Sequence, residues 1–77
     1  VVHAHDKFLW NRLRHAVPTT RDDVFYGTPD MARELRRIYL ETDLRQRRLA
    51  VMGGHDAGLI SLGANIAEAA ERLLKEL

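Results

Sequence analysis

Two short apolar runs most restrict what this chain can fold into. Leu49-Ala50-Val51-Met52 and Leu59-Ile60-Ser61-Leu62 show no alternation of apolar and charged residues. Near-continuous apolar runs of this length mark strands buried on both faces. Between them, the stretch from Gly53 to Gly58 is a glycine-rich bend that contains one histidine, His55. Strands buried on both faces need helices to cover them, and the rest of the chain carries helical patterns.

The first helix is expected from about Lys7 to Ala16. Asp6 is its N-cap, Leu9, Leu13 and Val17 share one stripe flanked by Phe8 and Ala16, and Pro18 ends it. A second helix opens at Thr28-Pro29-Asp30, with a capping threonine, proline at the first helical position and an acid near the positive end of the dipole. Its apolar face is Met31, Leu35, Ile38 and Tyr39, and its polar face is Arg33, Glu34, Arg36, Arg37 and Glu41. It is expected to end near Thr42, before a charged linker over 43–48. Asn65, with Glu68 three residues later, has the form of a capping box for a last helix, whose apolar face is Ile66, Ala70, Leu73, Leu74 and Leu77. Val24-Phe25-Tyr26 reads as a short edge strand cut by Gly27, after a polar connection over 18–23. The fold class is α/β, a layered α-β-α arrangement.

The chain begins with Val1-Val2-His3-Ala4-His5, a short strand pattern. Residues i and i+2 of a strand point to the same face, so His3 and His5 aim two imidazoles at one spot. Paired neutral imidazoles on a rigid element suit a transition metal. His55 is the candidate third ligand, and a catalytic zinc site commonly uses three protein ligands and leaves a fourth position open. Taken alone, an H-x-H pair also fits a structural or surface pair of histidines.

Composition narrows the alternatives. A chain of 77 residues without cysteine has no disulfide, no thiol nucleophile and no cysteine-based zinc site. A net charge of +1 gives no electrostatic reason to expect nucleic-acid or membrane binding, and no apolar run approaches the roughly 18 residues of a membrane span. The expected compartment is cytoplasmic. The arginines at 33, 36, 37, 45, 47 and 48 are interleaved with Glu34, Glu41 and Asp43 and lack an aromatic stacking platform, so they read as a solvated face.

The order and spacing of several motifs resemble the class II aldolase/adducin family. They are Val2-His3-Ala4-His5 before a helix, Tyr26-Gly27-Thr28-Pro29 opening a helix, Val51-Met52-Gly53-Gly54-His55 with Gly58-Leu59-Ile60-Ser61-Leu62-Gly63, and Ile66-Ala67-Glu68-Ala69 in a helix. The resemblance covers essentially the whole chain and the C-terminal part of that family's domain. It implies a central, mostly antiparallel sheet between helical layers, with residues 1–77 as an incomplete domain. It implies Zn2+ on His3, His5 and His55, a small sugar or sugar-phosphate substrate, lyase or isomerase chemistry through a metal-stabilised enediolate, and a homo-oligomer. The family's acid/base glutamate and phosphate loops lie upstream of the H-x-H pair, so the 77 residues alone are expected to be inactive. Where family members place a glycine directly after the third histidine, this chain has Asp56-Ala57-Gly58. The alternatives to an enzyme are a non-catalytic adducin-like interaction module and a merely structural metal site.

Most of the remaining polar and aromatic residues singled out carry two readings. Asp6 is a helix cap or an acceptor that orients a histidine. Asp56 is a solvated turn residue or a group that reaches the metal or substrate. Tyr26 is a strand-end aromatic or a substrate donor, Trp10 packs in the core or under a loop or else marks a subunit contact, and His15 is a surface residue near a helix C-terminus.

Overall fold

A computed structural model describes residues 1–77. Four helices accompany one three-stranded antiparallel sheet: β1 (Val2–His5), α1 (Lys7–Leu13), α2 (Pro29–Glu41), α3 (Leu44–Arg47), β2 (Leu49–Val51), β3 (Gly58–Ser61) and α4 (Ile66–Leu74). The strand order is β1-β3-β2. The two apolar runs thus become neighbours, and the strand bearing the histidine pair lies on the far side of β3. Every residue of β2 and β3 is buried, as their unbroken apolar character requires.

Register decides which side chains share a face. Ala4 lies opposite Leu59 and Leu59 opposite Val51, while His3 lies opposite Ile60 and Ile60 opposite Ala50. Leu49, Val51 and Leu59 pack with Leu9, Trp10 and Leu13 of α1 and Leu73 of α4, with Val2 and Ala4 against them. Met52 and Ile60 pack with Met31 of α2, and Ala50 packs with Ile38 and Leu44. Leu59 is fully buried, and truncating such a leucine to alanine costs about 2–5 kcal/mol.

The buried polar groups are paired. Trp10 Nε1 donates to Met52 O at 3.0 Å, and Ser61 Oγ donates to Ala69 O at 2.7 Å. Gly63 lets α4 close on β3, since a Cβ there would lie 2.6 Å from Ala69 N.

Three caps form as expected. Asp6 Oδ1 accepts from Leu9 N, Thr28 Oγ1 from Met31 N, and Asn65 Oδ1 from Glu68 N. Other expectations need correction. The first helix stops at Leu13, and Ala16 and Val17 turn back to donate to Leu13 O. The linker holds α3, because Leu44 is drawn into the core beside Ile38. No strand forms at Val24–Tyr26: Val24 N turns back to Arg21 O, Phe25 and Tyr26 are exposed, and Thr28 Oγ1 occupies Phe25 O. Instead, Pro18–Thr20 runs along the outer edge of β2, with Val51 N donating to Pro18 O and Thr20 N to Val51 O.

Two faces also differ. Glu34, expected in solvent, is buried. On α4, Ala69 and Leu73 are buried, but Ile66 and Leu74, and Leu77 beyond the helix end, are exposed.

Candidate metal centre

The end of β1 and the bend between β2 and β3 bring the three histidines together. His5 sits opposite Gly58 in the ladder. A Cβ at position 58 would lie 2.4 Å from His55 Cδ2, so the missing side chain is the space in which the His55 ring rests. The bend is closed by its own backbone: His55 N donates to Met52 O, Gly58 N to His55 O, and Met52 N to Gly58 O. Asp6 N donates to Ala57 O at 3.0 Å and ties the bend to the end of β1. Ala57 takes a left-handed φ of 65°, a conformation that costs a residue with a Cβ about 1–2 kcal/mol.

His5 Nε2 lies 3.0 Å from His3 Nε2 and 3.1 Å from His55 Nε2. One ligand nitrogen from each residue falls within 4.8 Å of the others. His3 Nδ1 is 3.0 Å from Leu59 O. A carbonyl accepts only, so Nδ1 carries the proton and Nε2 presents its lone pair to the cluster. The sheet itself therefore selects the ligating tautomer of His3.

Proton counting shows what the cluster suits. An imidazole nitrogen carries either one hydrogen or one lone pair. His5 Nε2 faces two nitrogens but can make one conventional hydrogen bond, so one close contact is always left over. A cation accepts lone pairs from all three. Two nitrogen ligands of a tetrahedral zinc, each about 2.0–2.1 Å from the metal, stand roughly 3.3 Å apart. The two short edges of the cluster lie within a few tenths of an ångström of that value, while the whole set spans up to 4.8 Å, so the three residues could hold such an ion once the His3 and His55 rings draw closer together.

Electrostatics favour the same state. The pKa of His55 is held below its ordinary 6.5, first by burial and then by repulsion of its cationic form from His5 and His3, with Asp56 opposing. A lowered imidazole pKa keeps the ring neutral, as a metal ligand must be.

The other candidates resolve by contact. Asp6 is engaged as a cap, and Asp56 is ion-paired with Lys7 in solvent. His15 is exposed and takes no part in the cluster. Tyr26 stacks on two of the three histidines, with ring centroids 4.9 Å from His3 and 4.5 Å from His55 at interplanar angles of 15° and 19°. The sequence reading weighed Tyr26 as a strand end or a substrate donor and missed this contact. The Gly53-Gly54 pair leaves room for the loop that leads to Tyr26, but no spacing along the chain marks the stack itself.

Comparison of the chain with protein-family models, with curated proteins and with solved structures finds no match. No helix is long and apolar enough to cross a membrane.

Proposed function

We propose that His3, His5 and His55 hold a zinc ion, and that the protein is a zinc-dependent lyase or isomerase of the class II aldolase type acting on a small sugar or sugar phosphate. One observation carries this reading: three imidazole nitrogens lie within 4.8 Å of one another, with the tautomer of His3 fixed by Leu59 O. When bound, zinc supplies a Lewis acid where negative charge develops on a hydroxy-carbonyl substrate. The chain's own part is to present neutral nitrogens from one strand, β1, and a closed bend. Three ligands with His5 exposed favour an open site over a structural one, which would enclose its metal with four.

The reading carries further parts. The sheet and helices belong to a layered α-β-α domain of which this chain is the C-terminal portion, and the protein works as a cytoplasmic homo-oligomer. Both carboxylates beside the cluster are engaged, Asp6 as a cap and Asp56 with Lys7. No acid/base group is therefore assigned within the chain, and the 77 residues alone are expected to turn over no sugar phosphate.

Elemental analysis after exposure to zinc and removal of excess metal tests the reading. The chain should retain close to one equivalent, and His55→Ala should lose most of it. Equal zinc in the variant would remove His55 from the site. No zinc in either would leave an adducin-like interaction module as the better reading.

A further inference from the structure

We infer that Tyr26 is a positioning residue of the histidine cluster: its ring lies against the imidazoles of His3 and His55 and holds them in the orientation in which their nitrogens converge with that of His5. The inference rests on the metal-site reading and adds a residue that binds no metal.

The stacking fixes what the backbone leaves free. His3 is oriented at one ring nitrogen by Leu59 O, which still allows the ring to tilt about that hydrogen bond. The Tyr26 ring is nearly parallel to both His3 and His55, whereas His5 meets those two rings edge-on, at 71° and 90°. One flat surface thus sets the planes of two ligands at once. Offset or parallel aromatic packing at these centroid distances is attractive and geometrically selective.

The loop that carries Tyr26 is built against the same bend that carries His55. A Cβ on Gly53 would lie 2.3 Å from Thr20 O, and one on Gly54 would lie 2.1 Å from Val24 O. Gly53 N also donates to Thr20 Oγ1 at 2.9 Å. On its other side the loop is held by Glu34, whose Oε2 accepts from Arg21 N at 2.7 Å. Gly27 turns the chain with a φ of 81° before Thr28 caps α2. Tyr26 is therefore half exposed and yet sits on a segment tethered at both ends. This accounts for two consecutive glycines ahead of His55 better than a need for turn flexibility, since neither of them has a positive φ.

The test uses cobalt(II) as the probe, titrated into the full chain and followed by visible absorption, with Tyr26→Phe and Tyr26→Leu alongside. Groups that orient metal ligands typically alter affinity by 10–100-fold, so Tyr26→Leu should bind roughly tenfold or more weakly with an altered visible band, and Tyr26→Phe should stay within about twofold. Thermal unfolding of the metal-free proteins should coincide, which separates positioning from loss of fold. Equal affinity and an equal band in the leucine variant overturns the inference. So does an equal loss in the phenylalanine variant, which assigns the effect to the hydroxyl.

A second arm needs no metal. In NMR spectra of the metal-free chain, the ring protons of His3 and His55 should be shifted by the Tyr26 ring current, and in Tyr26→Leu they should move toward those of exposed His15. If no cobalt binds while these signals respond, the metal reading fails and the ring-ordering role stands. If they do not respond, the ring-ordering role is overturned even where cobalt binds.

Discussion

Replacing Glu34 by glutamine isolates the one buried charge that holds the Tyr26 loop in place. Glu34 has 5% side-chain exposure and Arg37 has 31%. Its carboxylate accepts from Arg37 Nε at 2.6 Å, Arg37 Nη2 at 2.9 Å and Arg21 N at 2.7 Å. In Glu34→Gln one oxygen becomes an amide group that must face donors, so at least one of these bonds is lost. Hydrogen bonds to charged groups contribute about 1.5–3 kcal/mol. Breaking a fully buried ion pair costs about 3–5 kcal/mol, but Arg37 is exposed enough to rehydrate. The expected loss at neutral pH is therefore about 2 kcal/mol, toward the lower range. The pKa of Glu34 is held below its ordinary 4.5, chiefly by the Arg37 hydrogen bond and against burial. A lowered carboxylate pKa gives stability that is fully present above the unfolded value and is lost as pH falls through the folded one. Urea unfolding of both proteins from neutral to acid pH should show a gap that is constant above about pH 4.5 and narrows below it. Carboxylates other than Glu34 titrate in both proteins and cancel in the difference. A gap under about 0.5 kcal/mol at neutral pH, or one that does not narrow in acid, refutes the assignment.

Other expectations follow from the bend. Gly58→Ala places a Cβ against the His55 ring and should lower zinc affinity by roughly tenfold or more in competition with a chelator. Ala57→Gly relieves a left-handed φ of 65° and should raise the unfolding free energy in urea by about 0.5–1 kcal/mol, after allowing for the greater freedom of glycine when unfolded. Because the folded pKa of His55 is lowered from 6.5, the metal-free chain should be fully stable above that pH with respect to this group. It should lose stability as pH falls below it, levelling off once the folded form protonates. His55→Ala should flatten that part of the stability–pH curve.

Much of the scaffold was legible because local chemistry agrees with the fold. Thr28-Pro29 and Asn65 could be read as helix starts because a cap needs only its own neighbours. The apolar runs 49–52 and 59–62 could be read as buried strands for the same reason. The pairing of β1 with β3 was not legible, since it brings residues more than fifty positions apart into register. Glu34 was misplaced because helical periodicity records polarity, and its burial depends on Arg37 and Arg21 N satisfying it. The expected strand at Val24–Tyr26 failed because those backbone groups are used in turns and by Thr28, while Pro18–Thr20, read as a polar connection, covers the β2 edge. Within the site, the H-x-H spacing gave the shared face of His3 and His5. Convergence with His55, the hydrogen bond that fixes His3 and the stacking of Tyr26 are tertiary contacts, and no pattern along the chain encodes them.

X-ray absorption at the zinc K-edge of the zinc-loaded chain tests the central claim most directly. The account predicts a first shell of three imidazole nitrogens and one or more oxygen donors at about 2.0–2.1 Å. His3→Ala, His5→Ala and His55→Ala should each remove one imidazole or the metal altogether. A shell with fewer than three imidazoles, or one unchanged by His55→Ala, would contradict it.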